Sequence, residues 1–380
     1  MSIQPEFTLT EVNKFIKDIC SREFLLYNES VLIGYAGTSL FYYEISKIIK
    51  NSQEDIAFYY LEKALEKFDK RIYIPTYCSG VAGFSWGVHY LVSRNFIDPS
   101  NEEMLDCFDE YLEEAFLMYL QEKNYDFLHG STGILYYYLQ RENVPLKDKL
   151  ISQYLDSLQV AAIYTDKDTF YWNHKEKEGL FPDISLSHGM SAIVILLTKI
   201  AKDEAFRPAC EFLITGAVNY ILTQELEGEY SLYPHSSLVR KNRKDSYLGW
   251  CHGDLGVGLA LYYAGKMMDN QAWIEKSNSI FYHSFNRRSV EERGMNNGFI
   301  CHGAAGVALI YYRMYLNTEN ERFYQEALYW IKEAVALYTD PENEFEEDDN
   351  LLTGSPGIAL TLACIYYKVD PAWDTIFLIS

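Results

Sequence analysis

The chain has 380 residues, 48% hydrophobic and 23% charged, enough to bury a large core as one big domain or as two or three ordinary ones. Lys and Arg number 33 against 54 Asp and Glu, a formal charge of -21, which argues against a nucleic-acid backbone as partner. The acidic balance suits a basic peptide and plain solubility equally.

In chain order, about thirty residues, room for one helix, precede the first glycine pair, GYAG at Gly34/Gly37. The apolar run TSLFYYEISKII follows it, too apolar for a surface helix. QEDIAFYYLEKALEKF then predicts an amphipathic helix, with Ile56, Tyr60, Leu61, Ala64, Leu65 and Phe68 recurring at three and four. Gly80/Gly83 (GVAG) and NEEMLDCFDEYLEEAFLMYL repeat the order, and Gly130/Gly133 (GSTG) opens TGILYYYLQ. In 134–188 a loop, NHKEKEGLFPD, blurs the limits of the amphipathic helix before a degenerate copy, GMSA, at Gly189 and Ala192. Gly253/Gly256 (GDLG), Gly303/Gly306 (GAAG) and Gly354/Gly357 (GSPG) each open another apolar run, with ERFYQEALYWIKEAVALY before the last.

The first glycines lie 46, 50, 59, 64, 50 and 51 residues apart. Seven such units are the signature of a repeat architecture. Each reads as a half-exposed outer helix, a turn and a buried inner helix. The last inner run, GIALTLACIYY, is not a polar cap, which favours a ring closing on itself over an open solenoid. The expected fold is therefore all-α: an α/α toroid of seven helical hairpins, with 1–380 as one domain. The glycines place the residue before them at inner-helix N-termini, where free N–H groups and the helix dipole favour anions and thiolates.

The N-terminal MSIQPEFTLTEVNKF lacks a signal-peptide layout, and no apolar run nears membrane-spanning length. Seven cysteines, at 20, 78, 107, 210, 251, 301 and 364, form no disulfide framework, so a cytoplasmic protein with free thiols is expected.

Four of the eight histidines, His129, His188, His252 and His302, stand just before a first glycine. One place earlier stand Leu128, Ser187, Cys251 and Cys301. Two thiols on equivalent positions of successive repeats, each beside an imidazole, make a first shell for zinc. Cys251, Cys301 and either His252 or His302 would give three ligands and an open position. His188, in DISLSHGMS, is placed to exchange protons with a substrate on the metal. Asp126, four residues before Gly130, could orient an imidazole or assist a proton transfer. The plain alternative is two buried cysteines, helix-starting histidines and a solvated aspartate. The basic run VRKNRKDS (239–246) and acidic run PENEFEEDDN (341–350) read as surface loops or as contacts to a peptide.

With SHGM at 187–190, GWCHG at 249–253, CHGAAG at 301–306, LLTGSPGIAL at 351–360 and the terminal PAWDTIFLIS, the chain resembles the lanthionine synthetase C-like family over essentially its full length. The resemblance implies a double α-barrel with Zn2+ held by Cys251, Cys301 and His302. It matches His188 and Asp126 to active-site residues and leaves His252 as a neighbour in the proton chemistry. It implies a cyclase that adds cysteine thiols of a dehydrated precursor peptide to dehydroalanine or dehydrobutyrine, forming thioether rings. The dehydratase would be a separate partner, since 380 residues leave no room for a fused one, and an exporter is a further expected partner. An arginine common in the family ahead of the Trp-Cys pair has no counterpart in DSYLGWC. The rival readings are a non-catalytic zinc protein of the same fold that binds peptides or glutathione, and a zinc thiolate alkylator like the protein prenyltransferase β subunit.

Overall fold

The computed structural model describes residues 7–68, 73–141, 144–176, 179–227, 230–238, 245–343 and 349–380. Every first glycine of the repeats is the N-cap of a helix. The inner helices are Tyr35–Ile49, Val81–Ser93, Ser131–Gln140, Met190–Ile200, Asp254–Met267, Ala304–Thr318 and Ser355–Tyr367. Outer helices precede them at Leu9–Cys20, Glu54–Leu65, Asp109–Gln121, Leu146–Ala161, Arg207–Leu222, Gln271–Ser284 and Glu321–Thr339. The inner helices are buried on nearly all sides, as their uninterrupted apolar runs require. The outer ones bury one stripe. In Glu54–Leu65 that stripe is Ala57, Tyr60, Leu61 and Ala64, while Ile56 and Leu65 face outward, so the buried face is narrower than the apolar pattern. No helix among the described residues is long and apolar enough to cross a membrane.

The chain divides into two compact units, one of residues 1–73 with 296–380 and one of residues 74–295. The first unit brings the two ends of the chain together. Cys301 N–H donates to Leu352 O (3.0 Å), and Leu352 N–H donates to Leu32 O (3.2 Å). The Tyr367 hydroxyl donates to Asn13 Oδ1 at 2.7 Å. Within this unit the first and last repeats are thus neighbours.

At five of the inner helices the turn before the helix folds back on its start. Tyr35, Ala36 and Gly37 N–H donate to Asn28, Glu29 and Ser30 carbonyls, and Ala304, Ala305 and Gly306 repeat the pattern on Asn297, Gly298 and Phe299. Ser131 and Met190 do the same to Asn124 and Asp183. At these turns the expectation of free N–H groups is corrected: those donors are already spent on backbone carbonyls. The close approach explains the second glycine. A Cβ at Gly133 would lie 2.1 Å from Phe127 O and 2.6 Å from Tyr77 Cβ, so the site admits no side chain.

The segment expected as a loop before His188 is instead strand. In the second unit, β1 (Ile163–Asp166) pairs with β2 (Thr169–Tyr171), and β3 (Asn173–Glu176) with β4 (Gly179–Pro182), both antiparallel. The reason is anchoring. Phe170 and Trp172 are buried, and Trp172 Nε1–H donates to Leu158 O (2.9 Å) on the outer helix, pinning a polar stretch that would otherwise stay loose.

One ion pair sits beneath the fifth mouth. Asp254, the first residue after Gly253, is fully buried, and Arg287 reaches its Oδ2 at 3.2 Å while donating to the Ser246 and Glu292 carbonyls. Burial pushes the Asp254 carboxyl up, and Arg287 opposes that. Arg287→Ala leaves this carboxylate without its counter-charge and is expected to cost about 3–5 kcal/mol of stability. Chemical denaturation measures it; a loss under about 1 kcal/mol would show that Asp254 does not depend on the pair.

Candidate active site

Asp126 sits in the turn before Ser131–Gln140. Its Oδ1 accepts Leu128 N–H (2.7 Å) and His129 N–H (2.8 Å). Asn350 does the same in the last repeat, where Oδ1 accepts Leu352 N–H (2.9 Å) and Thr353 N–H (2.8 Å). An amide therefore suffices to hold this turn. What the carboxylate adds is its second oxygen: Oδ2 meets His188 Nδ1 at 2.7 Å, with His174 Nε2 at 3.7 Å. Burial pushes the Asp126 carboxyl up, but His188, His174 and His129 outweigh it, and the net displacement is below the usual carboxylate range. Burial draws His129 down, and Asp126 pulls the other way. An ionised carboxylate only accepts, so His188 Nδ1 carries the proton and, in the neutral ring, Nε2 is left as the exchanging nitrogen.

His188 is held from the chain side as well. Its backbone N–H donates to Ser185 Oγ (3.2 Å). Ser187 stands where the next two repeats have cysteine. Its hydroxyl is used structurally, donating to Cys251 O (3.0 Å), and its N–H donates to the same carbonyl (3.1 Å). These bonds tie the His188 turn to the Cys251 turn. His252 follows Cys251, with its ring centroid 5.9 Å from that of His188. His252 Nδ1 lies 3.1 Å from His235 O, and a carbonyl fixes the proton on Nδ1.

Sequence reasoning missed three aromatic neighbours. His174 comes from β3, with its ring 5.8 Å from His188. His235 stacks on His252 at 3.7 Å between centroids, and Tyr247 meets His235 edge-on at 5.1 Å. The first two stand outside the repeat position and carry no spacing signal. Tyr247 lies in DSYLGWC, where no arginine stands. Of the basic run, 239–244 lie outside the described residues, as do 344–348 of the acidic run.

In the first unit, Cys301 and His302 stand at the start of Ala304–Thr318. Asn297 Nδ2–H donates to His302 O (3.1 Å), fixing the turn. A hydrogen bond to Cys301 raises His302 above its ordinary value. Cys301 is partly exposed, His302 is exposed, and Cys251 in the second unit is buried. Within the second unit, Asp126, His174 and His188 have the make-up of a metal site. Cys251, Cys301 and His302, the set singled out by the repeat position, are divided between the two units. Two thiols and an imidazole are a donor set that suits zinc.

The chain is 24% identical over 326 residues to the nisin biosynthesis protein NisC of Lactococcus lactis subsp. lactis, an alignment covering 77% of this chain and 74% of that protein. Its fold is similar to that of a solved nisin cyclase, with a TM-score of 0.72 and 19% identity, over 98% of this chain and 97% of the other. The model of the lanthionine synthetase C-like proteins matches residues 26–378, and the chain belongs to that family.

Proposed function

We propose that residues 1–380 act as one seven-hairpin α/α toroid and as a lanthipeptide cyclase, closing thioether rings between cysteines and dehydrated Ser or Thr residues of a precursor peptide. Family membership and the name of the NisC relative support the reaction class. The observation that carries the reading is the Asp126–His188 pair at 2.7 Å, because the turn itself needs only an amide. Cys251, Cys301 and His302 would hold zinc. Bound there, zinc would keep the substrate cysteine ionised near pH 7, where a free thiol of pKa about 8.5 is mostly protonated.

His188 handles the remaining proton. As the cysteine Sγ bonds to the β-carbon, the alkene electron pair moves toward the α-carbon and its carbonyl, and His188 in its charged form delivers a proton to that α-carbon. The thiol's proton restores the balance. Asp126 holds the ring orientation and favours the charged form that donates. His252, presented beside His188, assists that proton traffic. In this reading the chain works in the cytoplasm after a separate dehydratase and ahead of an exporter.

The test is a dehydrated peptide carrying one cysteine and one dehydroalanine, incubated with the purified, zinc-loaded protein. Ring closure conserves mass, so loss of the thiol to alkylation is the readout. The expected result is closure at a rate proportional to enzyme, well above the uncatalysed addition. Peptide binding without acceleration would instead make this a non-catalytic zinc protein of the same fold.

A further inference from the structure

We propose that Asp126, His174 and His188 form a second divalent-metal site whose occupation by excess zinc shuts down the proton chemistry. The binding part rests on geometry within one compact unit, and only the inhibition rests on the proposed function.

One donor atom from each of the three residues lies within 4.8 Å of the other two. Two neutral imidazoles and one carboxylate are an established zinc donor set, with an open position left for water. Zinc ligands at about 2.0–2.2 Å from the metal stand about 3.3 Å from one another in a tetrahedron. His174 Nε2 and Asp126 Oδ2 are 3.7 Å apart and need almost no movement. The His188 Nδ1–Asp126 Oδ2 pair, at 2.7 Å, must open by about 0.6 Å as the ion replaces the proton between them. That proton leaves to solvent, so binding competes with protonation.

The carboxylate is already prepared for an ion. Asp126 is 3% exposed, and its Oδ1 is held by two backbone N–H groups, which fixes Oδ2 toward the imidazoles. His174 arrives on a paired strand, with Asn173 opposite Pro182 and His174 opposite Phe181, and not on a repeat turn. The site therefore depends on the β3–β4 hairpin. A metal here takes the nitrogen that Asp126 orients and the oxygen that orients it, so the dyad can no longer hold its proton.

Equilibrium dialysis against zinc, with metal and protein measured on the same sample, tests this. The full chain is expected to bind about two zinc ions, Cys301→Ala about one, and Cys301→Ala combined with His174→Ala none. Asp126→Asn in place of His174→Ala is a second variant that preserves the turn, as Asn350 does. Cobalt(II) bound to Cys301→Ala should lack the sulfur-to-metal charge-transfer absorption that a thiolate site gives. With activity normalised to each protein's own rate, loading the second ion should stop wild-type ring closure and spare His174→Ala. One ion in the wild type and none in Cys301→Ala would overturn the second site. So would an ion in Cys301→Ala that survives both His174→Ala and Asp126→Asn. A single ion lost on His174→Ala but kept in Cys301→Ala would support this site and refute the cysteine set.

Discussion

Cys301→Ala is expected to lose the zinc of the cysteine set and to slow ring closure by at least ~10³-fold, with its helices intact. Several kcal/mol of charge stabilisation is the usual contribution of a catalytic metal, and each 1.36 kcal/mol is about a tenfold change in rate. The fold should tolerate the change. Cys301 is partly exposed, and its turn is held by backbone: its N–H donates to Leu352 O, and Asn297 holds the His302 carbonyl. Alanine keeps both bonds. Metal analysis and thiol alkylation on the same preparation read the result. An alanine variant that retains the full metal content and rate would sink the Cys251, Cys301 and His302 assignment. Parallel loss of metal and of helical signal would mean that the thiol is structural.

The glycine register was legible because it has one physical cause. A position where a Cβ would strike a backbone carbonyl at about 2 Å accepts no side chain, so Gly37, Gly133 and Gly357 mark the same contact wherever they occur. Seven inner helices start where those pairs put them. The state of the helix ends was not legible in the same way. Whether a carbonyl seven residues back curls over to accept a first-turn N–H depends on backbone path, and no residue type at Asn28 or Asp183 announces it. The hairpin carrying His174 escaped for a related reason. Its strands are only four residues each, and the chain entering it is pinned by Trp172 bonding to the outer helix before it, not by the strands' own alternation.

The site was legible to the extent that it follows the repeat. His188 and His252 share one register, and the structure places their rings 5.9 Å apart. By its position alone Asp126 was an acid in a turn, where an aspartate is commonly solvated, and only the family resemblance singled it out. Its meaning came from comparison with Asn350, which makes the same two backbone bonds without a charge. His235 and Tyr247 stack into the same cluster with no register to reveal them.

That comparison yields the sharpest test of the acid–base reading. Asp126→Asn should lower kcat by about 10²–10⁴-fold, the usual contribution of a positioned general acid, with KM and the zinc of the cysteine set unchanged. Thermal stability should stay close to wild type, because asparagine can still accept Leu128 and His129 N–H as Asn350 accepts Leu352 and Thr353. Asp126→Ala removes that acceptor too and should cost a further 1–3 kcal/mol or so of stability. The pair of variants thus separates charge from turn. His188→Asn should match Asp126→Asn in rate, and the rings it does form should be of mixed configuration, since water then protonates the α-carbon from either face. If Asp126→Asn closes rings at the wild-type rate, the carboxylate has no part beyond the turn, and His188 must hold its proton without it.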